Sequence, residues 1–469
     1  MIMQKIKINQ AVCCACLFLL LPAISQAQTA ASTPVVASST SLSITQIQSV
    51  YVPPIISQIK EAKARLADVR LNYNLVPVYK TSKQKNGKSK KVLSKYNLNE
   101  RDVALAVYNP ILQQVQITLG IQNGKNFSFN DPNFDIQTLR FNGVNSRFQV
   151  NRPQNGYVVA LKYLITPLES GNKSAIESKL SPVVYVPYSQ ALSDPQVIQY
   201  GADYLDKIIQ RATADLQNLP SSAIPGQNLV HAIPPAMIKA LVYAEHTDTG
   251  TILGGGAQDA LNQLNILFAT NEGDAYKYSV SNDGFASRGI AQFVPSTYQS
   301  LVKRHPEAAL MPDFVAGMED HLNSIKAMYL LLDDYAGAVR VKASNGFVSS
   351  RVFDYGAASY NAGTARVANA VNQYGDNWNA DRSGQIDGLK NEIAGLKGQI
   401  KSLKNKIKST KDKKNKQTLQ GQLTSAQNQA SADNTSLTAL QAASLKNATV
   451  NYLKKIYAVI PFINGNSPM

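Results

Sequence analysis

Apolar and polar residues alternate along "VQITLGI", residues 115–121, and the run ends at Asn123-Gly124 just before "FSF". Period-two alternation predicts a half-buried strand, and the Asn-Gly pair predicts a hairpin turn. "RFQV", "PQNG" and "YVVALKYLI" predict a second hairpin, and "PVVYVPY" a further strand. A helical pattern over residues 46–70 precedes them, and the lysine-rich "KQKNGKSKK", Lys83–Lys91, reads as a solvated loop. Residues 46–192 are thus expected to form an α+β domain, in which no catalytic constellation stands out. Near Pro195 the period lengthens to that of a helix, and residues 193–230, with "LPSSAIPGQN", read as a helical connector. Pro234-Pro235 then opens a new helix, proline being tolerated in a first turn, and helical patterns continue to the C-terminus.

Residues 385–442 have a different pattern. Ile386, Leu389, Ile393, Leu396, Ile400, Leu403 and Ile407 recur at alternating spacings of three and four, a heptad seam. "STKDKKNK", Ser409–Lys416, interrupts it as a polar turn. Leu419, Leu423, Ala426, Ala430, Leu437 and Leu440 resume it, with Asp433 as a polar exception. This predicts an antiparallel coiled-coil hairpin with arms of about 33 Å at 1.5 Å per residue. Residues 386–416 carry ten lysines against three acids, so its outer part is strongly basic.

Composition adds a compartment. The chain has 469 residues, enough for two or three domains. Lys5 and Lys7, then "AVCCACLFLLLPAI", then Ser25-Gln26-Ala27 have the order of a secretory signal peptide over residues 1–27. Its apolar core is short for a bilayer span, which disfavours a retained anchor. Residues 28–45 follow as a low-complexity linker. All three cysteines, Cys13, Cys14 and Cys16, fall in the signal, leaving no thiol for the mature chain. Removing residues 1–27 takes away two lysines and no acid, lowering the formal charge from +16 to +14. Such a balance favours anionic partners, and outside the cytoplasm these are wall polymer or acidic lipid. The expected location is the periplasm or cell envelope, with no transmembrane segment in the mature chain.

One residue breaks the apolar pattern where chemistry would need it. In "IKALVYAEHTDTG", Ile238, Leu241, Val242 and Glu245 share one helical face. A fraying helix end in water would account for Glu245. So would a cleft, where partial desolvation raises a carboxyl pKa and suits it to general-acid work. The chain has no HExxH, phosphate loop or GxSxG, and His231, His246, His305 and His321 lack metal-ligand spacing. "SRGIAQFVPSTY" (287–298) combines a tight glycine turn with Gln292 among apolar neighbours. "HLNSIKAMYLLLDDY" (321–335) is an amphipathic helix. "YGAASYNAGTARV" (355–367) is a helix of small residues closed by Gly363.

Taken in order, these segments resemble the Slt-type lytic transglycosylases. That family shows a glutamate ending an apolar helix, then GLMQ-x-MP-x-T, a YL pair, AAYNAG followed by a small residue and RV, and a closing ET-x-NYV helix. The counterparts here are Glu245, Gly289–Thr297, Tyr329-Leu330, Ala357–Val367 and "ATVNYLKKI", Ala448–Ile456. The sequence departs from that pattern at His246, where serine is usual, and at Ala291, where methionine is usual. A long insertion over residues 247–283 and the heptad hairpin are further departures.

The resemblance implies a lysozyme-like α-helical catalytic domain over residues 231–384, interrupted by the hairpin and completed by a closing helix over 443–469. It implies cleavage of the β-1,4 bond between N-acetylmuramic acid and N-acetylglucosamine in peptidoglycan, without hydrolysis and with no cofactor or metal. Glu245 would be the single acid–base catalyst, Tyr360 would hydrogen-bond and orient it, and Gln292, Asn361 and Tyr329 would lie on the glycan subsites. Peptidoglycan strands are the implied partner, and an envelope or secretion-machinery protein could dock on the hairpin or the N-terminal domain. Three other readings stand beside it. One is a glycan-binding scaffold without turnover, and another a hydrolysing muramidase with Asp248, Asp274 or Asp283 as second carboxylate. The third, a basic DNA-binding protein, rests on charge alone and conflicts with the export signal.

Overall fold

The computed structural model describes residues 52–83, 89–166, 169–281, 286–343 and 346–463. The expectations for residues 1–45, and for Asp283, lie outside them. The chain is mixed α+β, a sheet region followed by a helical one.

Helix α1 (Pro54–Ala67) is followed by strands β1 (Tyr73–Lys83), β2 (Ser89–Asn109), β3 (Gln114–Asn123) and β4 (Asn126–Phe129). Then come β5 (Asp135–Arg140), β6 (Arg147–Arg152), β7 (Tyr157–Ile165), β8 (Ser170–Gly171) and β9 (Ser181–Tyr185). The main sheet is antiparallel in the order β4-β3-β2-β7-β9, with β1 and β8 also paired to β2, while β5 and β6 pair apart. The Asn123-Gly124 turn joins β3 to β4 as expected, and Gly124 supplies a positive φ of 59°. The inner half of β2 is buried on both faces. Ala104 and Ala106 lie under Ile56, Ile59, Ala62 and Leu66 of α1. Val103, Leu105 and Val107 meet Phe127, Phe134 and Phe148 on the other side.

Two strand expectations are corrected. β6 and β7 do not form a hairpin: β6 pairs with β5, and β7 lies between β2 and β9. The seven inner residues of β7 are all buried, whereas β6 has no buried residue. A strand apolar on both faces gains most at the sheet centre. The lysine-rich stretch Lys83–Lys91 is also not loop throughout, because β1 reaches Lys83 and β2 begins at Ser89; residues 84–88 lie outside the described residues.

The longer helices of the second half are α2 (Pro195–Leu216), α3 (Pro235–Glu245), α4 (Ala257–Asn271), α5 (Pro295–Arg304) and α6 (His321–Lys342). They continue with α7 (Val352–Ala362), α8 (Thr364–Tyr374), α9 (Ser383–Ser409), α10 (Lys413–Ala443) and α11 (Asn447–Ile463). Helix α6 runs through the core, burying Ile325, Met328, Tyr329, Leu332 and Ala336. The stretch expected as a long insertion contains α4, which packs closely on α2. A Cβ built on Gly201 would lie 1.8 Å from the Asn265 carbonyl oxygen, so only glycine permits this approach. Ile266, Leu267 and Ala269 of α4 pack with α1 and the sheet, and Asn271 bonds both the amide and the carbonyl of Val186, at 2.8 and 3.0 Å. The inserted helix therefore joins the sheet to the helical region.

Helices α9 and α10, linked by residues 410–412, pack along one another with shallow burial. Ile393, Leu423, Ala430 and Asp433 are their buried residues, and Asp433 accepts a 2.7 Å hydrogen bond from Gln429. Among the described residues, no helix is long and apolar enough to cross a membrane.

Candidate active site

Helix α3 is apolar almost all round, and Ile238, Ala240, Leu241, Val242, Tyr243 and Ala244 are all buried. Its last residue, Glu245, emerges half-buried. That position is electrostatically poor for a carboxylate, because a helix C-terminus carries partial negative charge. Glu245 keeps some solvent contact, yet dense surrounding protein desolvates its carboxyl group. Burial is the main cause raising its pKa above the ordinary carboxylate value; a hydrogen bond from Tyr452 and the charge of Lys455 pull it back.

Both modulating groups come from α11. Thr449, Tyr452 and Lys455 recur every third residue and share one helical face. Thr449 donates to Asn361 Oδ1 at 2.7 Å, the Tyr452 hydroxyl donates to Glu245 Oε1, and Lys455 Nζ donates to the Thr247 carbonyl at 2.9 Å. One helix face thus holds α7, the carboxyl group and the chain just after it. Burial, then the Glu245 charge, push the Tyr452 hydroxyl well above its usual pKa, so it stays a donor. Burial lowers the Lys455 pKa, against the pull of Glu245 and Asp248.

The turn carrying Gln292 closes the other side. Gly289 has φ +72°, and a Cβ there would lie 2.1 Å from the Met318 carbonyl oxygen, so the turn requires glycine. His246 Nε2 meets the Ile290 carbonyl at 2.9 Å, which makes it the donor, and the ring stacks on Tyr276 at 3.8 Å. Burial lowers the His246 pKa to about 4, so the imidazole is neutral at physiological pH. Gln292 donates to the Gly289 carbonyl at 2.7 Å. His246, next to Glu245 in the chain, therefore ties the end of α3 to the turn carrying Gln292.

The structure brings Glu245, Gln292, Tyr360 and Asn361 into one connected region, but with altered roles. Tyr360 does not hydrogen-bond Glu245. Its hydroxyl donates to the Ala291 carbonyl; burial raises its pKa, and the nearby Glu245 charge adds to the rise. The carboxyl group's hydrogen-bond partner is Tyr452, because α11 packs directly on α3. Asn361 is exposed at the end of α7. Tyr329 lies elsewhere: it is fully buried, with its hydroxyl 3.0 Å from Thr213 Oγ1, and offers no surface to a ligand.

The suggested second carboxylates are also committed. Asp248 is exposed, caps the next turn by accepting from the Thr251 amide at 2.8 Å, and is held ionised by those bonds. Asp274 pairs with Lys277 and Lys63 at 3.5 and 3.6 Å. Sequence reasoning assigned no role to Tyr452 or Lys455, although the spacing of Thr449, Tyr452 and Lys455 was a usable signal. A surface hollow of about 790 Å³ lies in a groove between α9 and α10 and is lined by no carboxylate. No family model matches this chain, and no match was found among curated proteins or solved structures.

Proposed function

We propose that the protein is an exported peptidoglycan lytic transglycosylase, with a lysozyme-like helical region from which α9 and α10 project as a coiled-coil hairpin. What carries the reading is Glu245: a half-buried carboxyl of raised pKa at a helix end, bonded by Tyr452, with no carboxylate among the groups that act on its titration. Most glycosidases need a second carboxylate to activate water or attack the sugar. A neighbouring hydroxyl of the substrate itself can replace it, because a tethered nucleophile reacts at high effective concentration.

In this mechanism protonated Glu245 gives its proton to the glycosidic oxygen as the bond to muramoyl C1 breaks. The resulting carboxylate, held by Tyr452 and near Lys455, takes the proton from the muramoyl C6 hydroxyl. That oxygen closes on C1 as a 1,6-anhydro ring, Glu245 is protonated again, and no water is consumed. Tyr360 and His246 position the turn that carries Gln292, while Gln292 and Asn361 contact the glycan. The test is mass spectrometry of fragments released from purified sacculi. Products lighter by one water than hydrolysis products support the reading. Reducing ends would replace it with a muramidase, and absence of fragments with a binding scaffold.

A further inference from the structure

Strands β1 and β2 extend beyond the sheet as a two-stranded ribbon. β8 pairs with β2 only at Tyr96 and Asn97, so past these residues both ribbon edges are unpaired among the described residues. The register sorts its side chains. Leu75 faces Leu98, Pro77 faces Tyr96 and, past a bulge between Val78 and Tyr79, Tyr79 faces Leu93, which places an apolar stripe on one face. The outer end of this stripe is not covered: Tyr79 is 57% and Leu93 45% exposed, whereas Leu75, Tyr96 and Leu98 nearer the sheet are half-buried, and Val92 on the opposite face is 46% exposed. By the same register Lys91 shares this face while Lys80, Lys90 and Lys95 lie on the opposite one, and no acidic residue occurs between Asp68 and Glu100, so the ribbon as a whole is basic.

Lysines alone are a common guard against edge-to-edge pairing of exposed strands. They do not explain a stripe of exposed tyrosine and leucine, which is costly in water and marks a contact surface. A two-stranded ribbon is also only marginally stable without something to pack on. An anionic bilayer matches both features. Its interface accepts tyrosine and leucine side chains, and its surface potential attracts lysines. We propose that this ribbon is a membrane-interface anchor that lays its Tyr79–Leu93 face onto an anionic phospholipid surface. The inference is independent of the proposed catalytic activity.

The test uses residues 28–469, so that the apolar stretch 11–24 cannot bind lipid itself. Wild-type protein should float with vesicles of phosphatidylglycerol and phosphatidylcholine, and not with phosphatidylcholine alone. Lys90→Gln with Lys91→Gln should weaken binding at low salt by roughly fivefold per lysine. Tyr79→Ser with Leu93→Ser should abolish it, both sites being exposed enough to leave the fold intact by circular dichroism. Leu93→Trp should blue-shift its emission on the anionic vesicles alone. Vesicle binding that survives Tyr79→Ser/Leu93→Ser would overturn the proposal. So would a protein that ignores vesicles but dimerises through these residues in sedimentation velocity, since the ribbon would then be a protein-pairing edge.

Discussion

Replacing Tyr452 with phenylalanine removes one oxygen and leaves the ring packed between α11 and α3. The lost bond is from a neutral hydroxyl to a carboxylate, and hydrogen bonds to charged groups contribute about 1.5–3 kcal/mol. At about 1.4 kcal/mol per pKa unit, the Glu245 pKa should rise by about 1–2 units above its already raised value. The sign follows from which form the hydroxyl favours: it stabilises the carboxylate, so its loss stabilises the protonated acid. Activity that needs protonated Glu245 declines as pH rises through that pKa, so the alkaline limb of kcat/KM should move upward. The same bond stabilises the carboxylate that develops as the proton leaves, so kcat at the optimum should fall by roughly ten- to a hundredfold. KM should change little, because no substrate contact is removed. The assay is initial-rate release of soluble fragments from sacculi across a pH series, with Lys455 left in place. An unmoved alkaline limb would refute the reasoning, as would full kcat in Tyr452→Phe.

Glu245→Gln should lower turnover by about 10²–10⁴-fold or more while preserving sacculus binding, because the amide cannot supply the proton. The same variant should be more stable than wild type at neutral pH but not in acid. Burial raises the folded pKa, so the site's stability is complete below the ordinary carboxylate pKa and is lost as pH rises through the raised value. Urea unfolding at both pH values checks this. Tyr360→Phe frees the Ala291 carbonyl and should raise KM through the Gln292 turn while leaving the pH limb in place, the opposite split from Tyr452→Phe. Replacing residues 386–440 with a short Gly/Ser linker should leave cleavage of soluble glycans unchanged. It should weaken sacculus binding, most visibly at low salt, where exposed lysines are least screened. Loss of activity on short glycans in a folded deletion variant would show instead that the hairpin covers the cleft.

Local patterns were enough for much of the architecture. Alternation located β3, two-faced apolar runs marked β7 and β9, and Pro234-Pro235 with the row Ile238, Leu241, Val242 placed Glu245 at a helix end. The physical reason is that period and helix termini are set by neighbours within a few residues. The sequence also placed one carboxyl group in an apolar helical row, and left open whether it meets water or a cleft. It could not determine what that group touches. Tyr452 is 207 positions away, and its approach depends on how α11 packs against α3, which no local period encodes. The same limit separates Tyr329 from Tyr360: both lie on amphipathic or small-residue helices, and only packing decides which one reaches the region of Glu245. β7's place between β2 and β9, and the role of α4 in joining helices to sheet, were likewise decided by tertiary contacts. A strand or helix carries its apolar faces in its sequence, but which surface covers each face depends on the rest of the chain arriving there.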